Sequence, residues 1–142
     1  MTTIVCDRTT MAGDTQLTDD AGSVSHGRKV FKHKGNVIGV AGTYTEAVQF
    51  MAWYKAGMRG EAPKMKNVSA LLLSKEGLIF CFDGTCNSYR ITDKFMAIGS
   101  GAHAAMGAMH MGATPREAVL VAAKVDSNTG GQVTVRKLKT SI

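Results

Sequence analysis

The apolar residues of this chain come in short packets, and this constrains the fold more than any other feature. Runs such as Ala70–Leu73 and Leu78–Phe82 are interrupted almost at once by Ser74-Lys75-Glu76-Gly77 and Asp83-Gly84. A membrane-spanning helix needs ~20 apolar residues in a row, so no such span fits. Short packets rich in β-branched and aromatic residues, closed by Gly, Asp and Asn, read instead as antiparallel strands joined by tight turns.

Read in order, strands are expected at Thr2–Cys6 and Thr10–Gln16, then at Val30-Phe31 and Val37–Ala41 around a turn at Lys34-Gly35-Asn36. A helix is expected over Thr43–Met58, with Thr43 and Glu46 spaced as a capping box. Residues 59–67 read as a polar loop. Strands at Ser69–Leu73, Leu78–Phe82 and Asn87–Ile91 follow, and Phe95–Ile98 enters the turn Gly99-Ser100-Gly101. A helix over Ala102–Met111 comes next, then one that opens at Thr114-Pro115-Arg116-Glu117 with a second capping box and runs to Val125. Gln132–Leu138 closes the chain as a strand. Such an order implies an α+β domain with helices on the outer faces of antiparallel sheets. The 142 residues suit one domain spanning 1–142.

Several function classes recede on composition. The net charge of +6 comes from scattered lysines and arginines that accompany no nucleic-acid motif, so a nucleic-acid partner is not expected. Cys6, Cys81 and Cys86 form no C-x-x-C pair, which argues against a disulfide framework or a zinc site and for a reducing cytoplasm. Asp7 and Arg8 interrupt any signal-peptide stretch, and no membrane association is expected. His103 and His110 have no carboxylate to complete a metal site, and Met106, Met109 and Met111 suit adaptable packing. The Gly99-Ser100-Gly101 turn lacks the lysine of a phosphate loop. No metal or organic cofactor is expected.

The N-terminus carries the first chemical signal. Thr2 follows Met1, and a small second residue usually permits removal of the initiator. Threonine would then carry a hydroxyl and a free α-amine on one residue. That amine has a reference pKa of about 7.7–8.0, so its neutral fraction can take the hydroxyl proton during attack on a carbonyl.

A series of motifs then runs through nearly the whole chain: Thr2-Thr3-Ile4-Val5, Ala12-Gly13-Asp14, Gly27-Arg28-Lys29-Val30, Gly39-Val40-Ala41-Gly42, Ile98-Gly99-Ser100-Gly101 and Asp126-Ser127-Asn128-Thr129-Gly130-Gly131. In this order they resemble the proteasome β-subunit family and its bacterial relative HslV. They are also similar to short proteasome-like proteins of phages and prophages. From the residues alone, Lys29 reads as one member of a basic stretch and Asp14 as a turn residue. The resemblance implies more. Thr2 would be the nucleophile, Lys29 the cation beside its hydroxyl, and Asp14 the carboxylate that fixes that lysine. Gly39 would supply the oxyanion-hole N–H, Ser100 would orient the amine, and Asp126 with Thr129 would hold the N-terminus.

The implied fold is the four-layer αββα sandwich of N-terminal nucleophile hydrolases. One helical layer would be reduced, because only Thr43–Met58 fits where the family carries two helices. The implied activity is threonine-type peptide hydrolysis through an acyl-enzyme, on peptide or unfolded-protein substrates. A homo-oligomer, an ATPase unfoldase partner and a bacterial or phage-infected host cytoplasm belong to the same expectation. The alternatives are a small-amide amidase and a non-catalytic scaffold that keeps the fold.

Overall fold

The structure, a computed structural model, describes residues 2–139; Met1, whose loss the sequence reading expects, lies outside them. The chain begins with β1 (Thr3–Asp7), β2 (Thr10–Gly13), β3 (Gln16–Thr18), β4 (Val24–His26), β5 (Val30–His33) and β6 (Asn36–Gly42). After α1 (Tyr44–Lys55) come β7 (Val68–Leu73), β8 (Ile79–Phe82), β9 (Ser88–Ile91) and β10 (Phe95–Gly99). Then α2 (Ala102–His110), α3 (Pro115–Val125) and β11 (Thr134–Lys137) complete the described fold.

Two antiparallel sheets form the middle of the molecule. One has the order β10-β1-β2-β11 and the other β5-β6-β7-β8-β9. Their facing sides interdigitate: Ile4, Cys6 and Met11 from the first meet Val30, Val37, Leu71, Leu73, Ile79 and Cys81 from the second. Each of these buried side chains contributes about 1.5–3 kcal/mol relative to exposure. The other side of the five-stranded sheet, through Ile38, Val40, Ala70 and Phe82, receives Ala47, Phe50, Met51 and Tyr54 of α1. The other side of the four-stranded sheet, through Val5, Ala12 and Ala97, receives Ala105 and Met109 of α2 and Ala118, Val119 and Ala122 of α3. Four layers result, with one helix on one outside and two on the other. Strand β1 is buried on both faces from Thr3 to Cys6, which explains why its sequence runs apolar without alternation.

The expected helices and central strands are all present, with ends shifted by a few residues. Two details differ. The run expected over Thr10–Gln16 breaks at Asp14, and Gln16–Thr18 pairs instead with Val24–His26 in a separate two-stranded ribbon. Val24–His26 is exposed at all three positions, so it has no apolar pattern to read. The capping box expected at the start of α1 does not form either: Thr43 is the N-cap without a side-chain cap bond. Glu46 Oε1 accepts from the Lys66 backbone N–H at 2.8 Å, drawn away to tie down the loop before β7. At α3 the box is complete, with Thr114 Oγ1 accepting from Glu117 N at 3.2 Å and Glu117 Oε1 from Thr114 N at 2.9 Å. No helix among the described residues is long and apolar enough to cross a membrane.

These two N-caps give a matched test. Urea denaturation of Thr114→Ala should show a loss of about 1 kcal/mol, the usual cost of a helix cap, whereas Thr43→Ala should stay within about 0.5 kcal/mol of the parent. Equal losses would contradict the difference in capping.

Candidate active site

Thr2 sits where β1 begins and is 1% exposed. The pairing of Thr3 with Gly99 lays the start of β1 against the turn into α2. Gly99 has φ +101°, and a Cβ there would collide with the Thr2 carbonyl. Glycine is therefore required for the chain start to lie this close.

Two charged side chains, Asp14 and Lys29, converge on the Thr2 hydroxyl. Asp14 follows β2, the neighbour of β1, and Lys29 immediately precedes β5 on the facing sheet. Thr2 Oγ1 donates to Asp14 Oδ1 at 2.6 Å and accepts from Lys29 Nζ. Lys29 Nζ also forms an ion pair with Asp14 Oδ1 at 2.8 Å. Asp14 is anchored by two backbone donors, Thr3 N to Oδ1 and Gly130 N to Oδ2, both at 3.1 Å. Lys29 is 3% and Asp14 1% exposed, so neither charge is shared with bulk water. Burial pushes the Lys29 ammonium below its ordinary pKa, and the attraction of Asp14 opposes that shift. Burial outweighs the pairing, so Lys29 gives up its proton more readily than a surface lysine.

A second network fixes the backbone around Thr2. Ser100 Oγ donates to Asp126 Oδ2 and lies 3.4 Å from the Thr2 carbonyl. Thr129 Oγ1 donates to the same Asp126 oxygen at 2.7 Å and meets Thr3 Oγ1 at 2.8 Å. Since Thr129 spends its proton on Asp126, Thr3 is the donor in the last pair. Burial alone would raise the Asp126 carboxyl, but bonds from Ser100, Thr129 and the Asn128 N–H hold it below its ordinary pKa. It therefore remains an acceptor at neutral pH.

The structure thus brings together Thr2, Asp14, Lys29, Ser100, Asp126 and Thr129. It does not bring Gly39 with them. Gly39 lies inside β6 between Val30 and Leu71, and a Cβ there would be 2.5 Å from Ile4 Cγ2 in the layer between the sheets. Val40 donates its N–H to the Lys29 carbonyl at 3.0 Å. Successive N–H groups point to opposite edges of a strand, so that of Gly39 points into the ladder with β7. Gly42, three residues on, shares the Val40 direction at a point where β5 has not yet begun. It has φ +113°, and a Cβ would collide with the Asn67 carbonyl. Sequence reading passed over Gly42, although its place just before the N-cap Thr43 was a usable signal.

Two hollows open beside Thr2, and both are lined by Thr2 and Gly42. The larger, of about 610 Å³, also contains Lys29, Asp19, Asp20 and Tyr44. The smaller, of about 280 Å³, contains Lys66, Asn67 and Ser100. Among the described residues, no group of three or more His, Cys, Asp or Glu side chains is placed to hold a metal ion.

No family model and no curated protein sequence matches the chain. Solved structures do match over nearly its full length. Eukaryotic HslV from Trypanosoma brucei superposes with a TM-score of 0.79 at 21% identity, covering 97% of this chain and 99% of that one. BPH from Thiobacillus denitrificans superposes with a TM-score of 0.68 at 19% identity, covering 99% of each chain. The same protein in complex with epoxomicin gives 0.68 at 19% identity, covering 98% and 99%. The chain therefore has the fold of HslV and its proteasome-like relatives, which the series of sequence motifs implied.

Proposed function

We propose that this chain is a threonine-type peptidase whose nucleophile is Thr2, made N-terminal by removal of Met1. The observation that carries this reading is the buried contact of the Thr2 hydroxyl with Lys29 and Asp14, at the point where both hollows meet. A threonine used only for packing needs no buried cation against its oxygen, and burying one is expensive.

In this reading Thr2 Oγ1 attacks the carbonyl carbon of a peptide bond. Its proton passes to the freed α-amine, and the Lys29 ammonium stabilises the oxygen as its charge develops. Asp14 fixes Lys29 and offsets part of the cost of burying it. The carbonyl oxygen becomes an oxyanion, for which the Gly42 N–H, rather than that of Gly39, is the suited donor. Collapse expels the amine half of the substrate with a proton and leaves an ester on Thr2. Water hydrolyses that ester. Ser100, Asp126 and Thr129 act on the position of the amine rather than on the substrate, since Ser100 meets the Thr2 carbonyl, Thr129 meets the Thr3 hydroxyl, and Asp126 holds both.

By the same resemblance, peptides or unfolded protein are the substrates. A homo-oligomer, an ATPase unfoldase and a cytoplasmic setting are the context we infer. The single helix α1 on the five-stranded sheet means that any contact made on that side uses a thin layer.

Two outcomes test the mechanism. With a fluorogenic peptide, Lys29→Ala should lower kcat/KM at least ~10³-fold, and Thr2→Ser should retain measurable turnover. Circular dichroism of each variant should match the parent. Normal turnover in folded Lys29→Ala would sink the role given to that lysine. The second outcome concerns pH. Activity should rise as the α-amine deprotonates near its reference pKa of about 7.7–8.0. It should fall again as Lys29 loses its charge. Because burial lowers the Lys29 pKa, that alkaline limb should have its midpoint below the ordinary 10.5. Rates that stay level to pH 10.5 would contradict a required ammonium.

A further inference from the structure

The two hollows beside Thr2 carry opposite charge at their exposed lining residues, and one charged group in each, Asp20 and Lys66, is uncommitted among the described residues. In the larger, Lys29 is buried and paired with Asp14, which leaves Asp19 and Asp20 as its other charged lining residues. Asp19 Oδ1 accepts from the backbone N–H groups of Ala21 and Ser23, at 3.0 and 2.8 Å, and so shapes the turn between β3 and β4. Asp20, beside it, is exposed and makes no hydrogen bond or ion pair among the described residues. In the smaller hollow the lining charge is Lys66, also exposed. Its backbone N–H is held by Glu46, but its ammonium has no partner among the described residues. Arg28 and Lys55 line a different hollow beyond Tyr44.

The acidic lip runs against the rest of the molecule, whose net charge is +6. Bulk attraction would draw anionic peptides to this protein, whereas the wall of the larger hollow favours a cation. A chain bound over Thr2 that enters both hollows meets carboxylates in one and an ammonium in the other.

Resting on the peptidase reading above, we propose that the cleft selects peptides with a charge step across the cleaved bond. A cationic side chain lies over Asp20 on one side, and an anionic one lies over Lys66 on the other. Asp20 and Lys66 thereby set the register of the substrate, and with it the bond presented to Thr2. Both pairs are solvent-exposed, so each adds little alone, and the preference comes from meeting both at once.

The test uses two isomeric peptides of equal composition and zero net charge. One carries Lys before and Glu after the central bond, and the other carries them in reverse. Net attraction to the protein cannot tell them apart. Binding is measured by fluorescence anisotropy on the Thr2→Ala protein, and kcat/KM on the parent. One order should be preferred about threefold at low salt, fading as salt screens the charges. The double variant Asp20→Lys/Lys66→Glu should prefer the other order. Equal treatment of both peptides, or an unchanged preference in the double variant, would overturn the proposal. An order preference in binding with no hydrolysis of either peptide would instead contradict the peptidase reading and reduce the charge step to a property of binding alone.

Discussion

The contact of a buried lysine and a buried aspartate with one threonine hydroxyl is the interaction on which the rest of this structure depends. Removing one partner of such a pair typically costs about 3–5 kcal/mol, because the other charge is left stranded away from water. The fold must therefore supply donors enough to keep both partners in place. Asp14 accepts from Thr2, Lys29 and two backbone N–H groups, which uses both of its oxygens. Those donors come from β1, from the residue before β5 and from the segment after α3. The pair is thus a knot between the two sheets and the helical layer, and its geometry survives only if all three layers keep their register.

The layering explains how a group this polar can be tolerated. Sheet against sheet, the interior is aliphatic and dense, with Ile4, Met11, Val30 and Leu71 fully buried. The polar site lies at the end of that layer, where β1 starts, β2 ends and β5 has not begun. Strand ends leave backbone N–H groups without ladder partners, and such groups can bind carboxylates or stabilise developing charge. Among the described residues, Gly99 and Gly42 are the two glycines where a Cβ would collide with the backbone of a neighbouring segment. Each brings a backbone segment against the neighbourhood of Thr2.

Much of the fold was legible because its packets of apolar residues have lengths and turn signals that only strands satisfy. The helix at Pro115 was legible to its cap. The start of α1 was misread because a capping box is a pattern of spacing, and spacing cannot show that Glu46 is drawn away by the Lys66 backbone. The β3–β4 ribbon was half missed, since its exposed residues carry no periodicity. At the site, the motif order pointed to Thr2, Asp14 and Lys29, whose burial no composition reveals. Gly39 and Gly42 illustrate the limit most clearly. Both are glycines of one strand, and choosing between them requires knowing which edge each N–H faces. That parity follows from Val40 bonding Lys29, a fact of register rather than of sequence.

The central claim is that Thr2 serves as an N-terminal nucleophile, and intact mass after incubation with a peptide epoxyketone tests it most directly. That reagent forms its ring adduct only with a hydroxyl and a free α-amine on the same residue. The account predicts a chain that has lost Met1 and gains one adduct mass, with no adduct on Thr2→Ala. A chain that keeps Met1 and remains unlabelled would contradict it.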